Sequence, residues 1–74
     1  MTLNQLPINS TGKVKSLHCN GNIRRRLLDL GIITNTPIKA VLKSPSGDPT
    51  AYEVRGSLIA IRKEDASFID VYIV

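Results

Sequence analysis

The chain has few of the residues that hold small secreted proteins together or that perform catalysis. Its 74 residues include one cysteine, one histidine and no tryptophan. A single cysteine cannot form an internal disulfide, so burial of apolar side chains must stabilise the fold. One histidine and six scattered carboxylates do not make the cleft of titratable groups that acid–base catalysis needs, and no glycine-rich phosphate-binding loop is present. We therefore expect that the protein is not an enzyme.

Long hydrophobic runs are also absent. No apolar stretch approaches the roughly 18 to 20 residues that span a bilayer, and Met1 to Gln5 lacks the basic and apolar blocks of a signal peptide. These absences predict a cytoplasmic protein. The content of 42% hydrophobic and 22% charged residues is typical of a folded chain, and its length predicts a single domain, 1–74, with one modest core.

The basic residues give a net charge of +4, which favours an acidic partner such as a nucleic acid, a lipid surface or an acidic protein face. They are scattered along the chain, as is typical of a solvated surface. Single-strand binders interleave basic residues with stacking aromatics, and this chain has three aromatics. Phe68 is expected to fill core, whereas Tyr52 and Tyr72 could stack on bases. No nucleic acid is expected, and a basic small-barrel nucleic-acid module is an alternative.

The stretch from Asn22 to Gly31 is predicted to form the one long helix. Asn20 or Asn22 can cap its start, and Gly31 is the expected left-handed end. Successive residues point about 100° apart, so three apolar residues form one stripe that must be buried. These are Ile23, Leu27 and Leu30.

The three consecutive arginines of this helix, Arg24 to Arg26, fan out and cannot form one patch. Arg25 lies four residues before Asp29, which allows an exposed ion pair. Arg26 flanks the apolar stripe, so its stem is expected along the sheet with the guanidinium in solvent or on a backbone carbonyl.

Five short strands are predicted, and with the helix they imply a small, mainly β barrel. The first, Lys13 to Leu17, alternates polar and apolar residues, with Val14 facing inward. Ser44 to Pro49 is dense in turn formers and is predicted to be an exposed loop. Leu3 and Leu6 are expected to cover one end of the barrel. The other predicted elements are strands at 38–43, 50–54, 57–61 and 68–74 and a single helical turn at 64–66.

His18 and Cys19 are the one pair that could interest a transition metal, because imidazole and thiolate are good ligands. Adjacent residues on a strand point to opposite faces, and a site would need ligands from elsewhere. We expect a surface imidazole beside a thiol that packs as an apolar group, with no cofactor and at most weak transition-metal binding.

Several short motifs, in order and spacing, resemble the FeoA family of ferrous iron transport accessory proteins. The resemblance runs from Leu3 to Val71. The motifs are Arg26 to Ile32 (RLLDLGI), Pro45 to Pro49 (PSGDP), Gly56, Ile61-Arg62, and Ala66 with Ile69 and Val71.

The resemblance implies a small SH3-like β-barrel of about five strands with one α-helix. It further implies a protein of iron homeostasis that binds and regulates the cytosolic part of FeoB, a membrane ferrous iron transporter with a GTP-binding domain. A related SH3-like module forms the carboxy-terminal domain of iron-dependent repressors, so a freestanding domain of that kind is a second alternative. The family usually carries glycine where this chain has Asn9 and Asn35, and asparagine is the ordinary residue that best tolerates positive φ.

Leu28 lies off the buried stripe and is the expected anchor for a partner, because interfaces combine apolar contacts with arginine. The alternative is that Leu3 or Leu6 folds over Leu28 and buries it. On the first interpretation, the partner contacts the outer face of the helix and the neighbouring loop. The residues of this surface are Arg24, Arg25, Leu28, Asp29, Ser46, Gly47 and Asp48.

Overall fold

A computed structural model describes residues 1–74 and contains five strands and one long helix. All the predicted elements are confirmed, and their ends shift by one or two residues. The helices are α1 (Gly21–Asp29) and the short α2 (Lys63–Ala66), and one 3-10 turn covers Leu3–Gln5. The strands are β1 (Thr11–Leu17), β2 (Pro37–Lys43), β3 (Thr50–Val54), β4 (Ser57–Ile61) and β5 (Ile69–Ile73).

The strands form one antiparallel sheet in the order β4-β3-β2-β1-β5. Register shifts interrupt β1 between Val14 and Ser16 and β2 between Ala40 and Leu42. Such bulges bend a strand and increase its twist, which allows five short strands to curl around one core. Strands β4 and β5 are the two edges of the sheet, and they do not pair with each other.

Thirteen buried apolar side chains form the core. Each strand contributes its inward-facing residues, and the predicted inward position of Val14 is confirmed because that side chain is fully buried. Leu3 and Leu6 join the same cluster, so the amino-terminal segment is part of the core. Phe68 is only half-buried and lies outside the cluster, so its predicted role as core was wrong. Ile69, the next residue, has that role because it faces inward from β5.

The apolar stripe of α1 is buried at one position only. Leu27 is 1% exposed, Ile23 is half-buried, and Leu30 is 38% exposed, so the prediction that Leu30 is core was wrong. The reason is that α1 ends at Asp29, after which Gly31 adopts a φ of 88° and turns the chain. The buried side chain that follows is Ile32.

Hydrogen bonds at this helix end define a Schellman turn. The Gly31 amide donates to the Leu28 carbonyl at 2.9 Å, and the Ile32 amide donates to the Leu27 carbonyl at 3.1 Å. Leu27 and Ile32, both buried, are the apolar pair that accompanies such turns. At the other end Asn20 occupies the capping position, but its side chain makes no capping hydrogen bond.

Asn9 and Asn35 both have a φ of 72°, which confirms that asparagine stands at left-handed positions. We expect Asn35→Gly to leave the free energy of unfolding nearly unchanged, whereas Asn35→Val should lower it by more than about 1 kcal/mol because a β-branched residue fits this region badly. Urea titration measures both. Thr34→Val, at an exposed neighbour without positive φ, is the control, and equal midpoints for the two Asn35 variants would contradict the assignment.

Tyr52 is 2% exposed, and its hydroxyl donates to the Leu3 carbonyl at 3.4 Å. Burial raises the pKa of this phenol above the usual 10.0, with a smaller opposing effect from its hydrogen bond with Thr50 and a small additional increase from Asp48. Tyr52 is therefore unable to stack on a nucleic-acid base, which removes half of the aromatic pair that the nucleic-acid alternative needs.

The raised pKa predicts a loss of stability in alkali. Between pH 10 and the folded-state pKa the unfolded chain binds fewer protons than the native state, so the free energy of unfolding falls as pH rises; below pH 10 the contribution of Tyr52 is fully present. Tyr52→Phe removes this slope. Urea midpoints of both proteins between about pH 8 and about pH 11 test it, and parallel curves would show that Tyr52 ionises equally in both states.

Candidate partner-binding surface

The four predicted contact residues on α1 are all exposed. Leu28 is 38% exposed and lies among exposed charged residues. Leu3 and Leu6 pack into the core instead of covering it, so the alternative in which the amino-terminal segment buries Leu28 is wrong. The helix therefore presents an apolar side chain to solvent beside its arginines. The other three contact residues on α1 are Arg24, Arg25 and Asp29.

The three arginines of α1 have different surroundings. Arg26 Nη2 pairs with Asp65 Oδ2 at 2.5 Å while the Arg26 side chain stays 59% exposed, so the guanidinium reaches solvent as expected and binds a carboxylate in place of a backbone carbonyl. Arg24 Nη1 lies 3.5 Å from the Leu17 carbonyl oxygen, a long contact. The Arg25 side chain makes no hydrogen bond or ion pair, and the predicted pair with Asp29 does not form. Arg25 is thus an exposed positive charge without a partner in this chain.

The loop between β2 and β3 is held by its own polar groups. The Gly47 amide donates to the Ser44 carbonyl at 2.8 Å, and the Ser46 hydroxyl donates to the Asp48 carbonyl at 3.0 Å. Gly47 has a φ of 89°, which a side chain would strain. Ser46, Gly47 and Asp48 are all exposed, so this loop is ordered by turns while its surface stays open.

The loop and α1 are linked through α2. Asp48 Oδ1 accepts a hydrogen bond from the Lys63 amide, at the start of α2, at 2.8 Å. Asp65 in the same short helix pairs with Arg26 of α1. No hydrogen bond or ion pair joins the loop directly to α1. The carboxylate of Asp48 therefore stabilises the loop, and its place in a partner contact stays a prediction.

Arg55 is a residue of this region that sequence reasoning missed. It has a φ of 52°, and with Gly56 at 81° it forms the two-residue turn between β3 and β4. Its Nε donates to the Gly31 carbonyl at 3.3 Å, and a Cβ on Gly31 would lie 3.1 Å from the Arg55 side chain. A cation at a helix carboxyl end is favourable. Gly56 in this two-residue loop predicted a tight turn, but nothing in the sequence indicated the contact between Arg55 and Gly31.

His18 and Cys19 lie in different surroundings. His18 is exposed, with Nε2 3.1 Å from the Ser16 hydroxyl and 4.0 Å from Asp70 Oδ2, whereas Cys19 is half-buried against the core. No group of three or more His, Cys, Asp and Glu side chains gathers at metal-binding distance. The thiol packs as an apolar group, as the sequence predicted.

The bond between Asp48 and the Lys63 amide predicts a structural effect of Asp48. We expect Asp48→Ala to lower the free energy of unfolding by about 1 kcal/mol, because it removes a charge-assisted hydrogen bond to a free helix-start amide. Ser46→Ala, which removes an exposed hydrogen bond within the loop but leaves the bond from the Lys63 amide to Asp48, should lower the free energy of unfolding less than Asp48→Ala does in the same urea titration. Equal losses for the two variants would mean that Asp48 does not hold the loop to α2.

Comparisons with known proteins identify relatives along the whole chain. The FeoA domain model matches residues 1–73. A Porphyromonas gingivalis fusion of Fe(2+) transport protein A with the Fe(2+) transporter FeoB is 27% identical over 74 residues, and the chain spans 9% of that relative's length. Neither α-helix has the length or the apolar composition that a membrane span requires.

Solved structures give the same result. Iron(II) transport protein A from Clostridium thermocellum superposes with a TM-score of 0.96 at 28% identity, covering all of this chain and 46% of that one. A zinc complex of Stenotrophomonas maltophilia FeoA, described as a prokaryotic SH3 domain protein, has a TM-score of 0.86 at 33% identity and covers 97% of this chain and 89% of that one.

A manganese-dependent transcriptional repressor also superposes on the chain, with a TM-score of 0.91 over 36% of its length. Its identity is 14%, so it shares the fold alone. The family match covers nearly every residue, and the five antiparallel strands with one helix agree with it. The chain therefore belongs to the FeoA domain family and adopts its SH3-like fold.

Proposed function

We propose that the chain is a cytoplasmic accessory protein of ferrous iron transport that binds and regulates the cytosolic part of a FeoB-type transporter and turns over no substrate. The observation that carries this proposal is the Porphyromonas gingivalis relative, in which a transport protein A segment and a FeoB transporter are parts of one polypeptide. Two modules fused in one chain are held at high effective concentration, which favours a contact too weak to persist between separate proteins.

We place the contact on the helix–loop surface, which consists of Arg24, Arg25, Leu28, Asp29, Ser46, Gly47 and Asp48. Leu28 supplies an exposed apolar side chain, and Arg25 supplies a guanidinium with no partner in the chain. Arginine and an apolar group that become buried together are typical of the residues that dominate binding energy. This pair supports α1 as the centre of the contact, and the loop, which is joined to α1 through α2 on the Arg26 side, is a second part of the proposed surface.

The size and charge of the chain support a reversible contact. A helix of nine residues and a short loop offer a surface at the low end of specific interfaces, about 1,200 Å² or less in total. The net charge of +4 favours an acidic face on the transporter and should accelerate association at low salt. Reversible association and dissociation of this kind suit a regulatory protein.

The test is isothermal titration of the chain against the soluble GTP-binding part of the transporter in each nucleotide state. We expect binding in at least one state, and we expect Leu28→Glu and Arg25→Glu each to weaken it by about tenfold or more, because a hot-spot contact contributes over about 1.4 kcal/mol. Both variants should unfold within about 0.5 kcal/mol of the parent, since both side chains are exposed.

Matched controls make the same chemical changes elsewhere. Ile73→Glu replaces an exposed apolar residue on β5, and Lys15→Glu reverses an exposed charge on β1; both should bind normally. Leu27→Ala should cost about 2 to 5 kcal/mol of stability, which calibrates a true core loss on the same helix. If the parent chain shows no binding in any nucleotide state, the proposed partner is wrong. If Leu28→Glu binds as well as the parent, the proposed surface is wrong.

A further inference from the structure

The two edges of the sheet are protected to different degrees. The amino-terminal residues pair with β5, because the Val71 amide donates to the Met1 carbonyl at 2.7 Å and Met1 N donates back to the Val71 carbonyl at 3.1 Å. An isolated bridge joins Thr2 to Asp70, which also places a charge on that edge. At the opposite edge, β4 has no such cover and carries no charge, proline or glycine over Ser57–Ile61. Uncharged edges of this kind are those that recruit another strand.

The register of the β3–β4 hairpin fixes which backbone groups of β4 point outward. Val54 and Ser57 close the two-residue turn as a hydrogen-bonded pair, and pairs in an antiparallel ladder alternate. Ile59 is therefore bonded to Tyr52, while the amides and carbonyls of Leu58 and Ala60 point away from the sheet. No backbone hydrogen bond outside the ladder reaches either residue.

The side chains around this edge are apolar and partly open. Leu58 is 62% exposed on the outer face, and Ala60 is exposed as well. On the inner side an open groove of 630 Å³ separates β4 from α1. The groove has two arginines and two acids at its margin, so its charges balance. The apolar residues that line it are Ile23, Leu27, Leu30, Ile59 and Ala60.

We propose that β4 is a self-pairing edge, through which two copies of this chain join by antiparallel pairing about a two-fold axis at Ile59. In this register Leu58 of one protomer opposes Ala60 of the other, and the outward amides and carbonyls of each pair satisfy one another. The partner's Ile59 then faces the groove beside α1, and both copies of Leu58 become covered.

Two features favour a second copy as the occupant. The outward backbone amides and carbonyls belong to Leu58 and Ala60, which are two residues apart. An identical antiparallel strand can therefore pair with all of them in one register. The strand and the groove are electrically neutral, although each copy carries +4 overall, so this edge is where two copies meet with least repulsion. Five residues extend about 17 Å, and the buried area falls below the roughly 1,200 Å² of a standard interface. The dimer is accordingly weak and reversible.

The first test is sedimentation equilibrium of the untagged chain from about 10 µM to about 1 mM, a range that covers weak dissociation constants. We expect a monomer–dimer equilibrium that strengthens as salt rises from roughly 50 to roughly 500 mM, because screening reduces repulsion between two +4 protomers. Binding to an acidic partner would weaken over the same range. A chain that stays monomeric at the highest concentration in both salts overturns the proposal.

Two variants locate the contact. Leu58→Lys should raise the dissociation constant by about tenfold or more, whereas Leu42→Lys, the same change at a 52% exposed leucine of the inner strand β2, should leave it unchanged. Ala60→Pro removes an outward amide and should also abolish pairing, with its thermal midpoint as the folding control. Equal effects of Leu58→Lys and Leu42→Lys would overturn the assignment to β4.

Amide hydrogen exchange gives a residue-level readout. The amides of Leu58 and Ala60 should exchange more slowly as concentration rises, while the Ile59 amide, already bonded to Tyr52, should not change. Protection of Leu58 and Ala60 by a transporter domain but not by increasing concentration of the chain itself would assign the edge to that partner and overturn self-pairing. This readout is independent of whether the helix–loop surface binds a transporter.

Discussion

The attachment of α1 to the sheet depends on the turn at Gly31. The helix buries one side chain completely, Leu27, and a contact this small would not hold nine residues in place by itself. The Schellman turn adds Ile32 directly after the helix, so two buried side chains enter the core from adjacent turns of the chain. This short segment therefore provides the main apolar attachment that positions the outer face of α1.

Charged side chains at the surface join α2 to α1 and to the β2–β3 loop. Arg26 pairs with Asp65 and Asp48 bonds the Lys63 amide, so α2 is joined to α1 on one side and to the β2–β3 loop on the other. Each contact is exposed and contributes modestly, but together they give three separate segments one relative placement. The helix–loop surface that we propose as the contact is therefore ordered in the free chain, and such preorganisation lowers the entropy lost on association.

Much of the fold was predictable because local signals agreed with it. Alternation identified the strands, and turn residues marked their ends; asparagine at positions 9 and 35 indicated left-handed turns that the structure contains. The errors arose where a tertiary contact decided the outcome. Leu30 satisfied the helical period but lies beyond the last helical residue. Phe68 was expected in the core, but its neighbour Ile69 is the residue that faces inward. Arg26 found Asp65 across 39 residues of sequence, and no local pattern encodes such a pair.

Two independent constraints act on Gly31, its positive φ and its contact with Arg55, and they differ in the substitutions that they tolerate. Its φ of 88° alone would tolerate asparagine, as Asn9 and Asn35 demonstrate at their own turns. Its space adds a second constraint, because a Cβ would lie 3.1 Å from the Arg55 side chain, which would have to shift by a few tenths of an ångström while it bonds the Gly31 carbonyl. A side chain at position 31 is therefore accepted more readily when position 55 carries a smaller residue. Two residues that are 24 apart in the chain thus constrain each other's substitution.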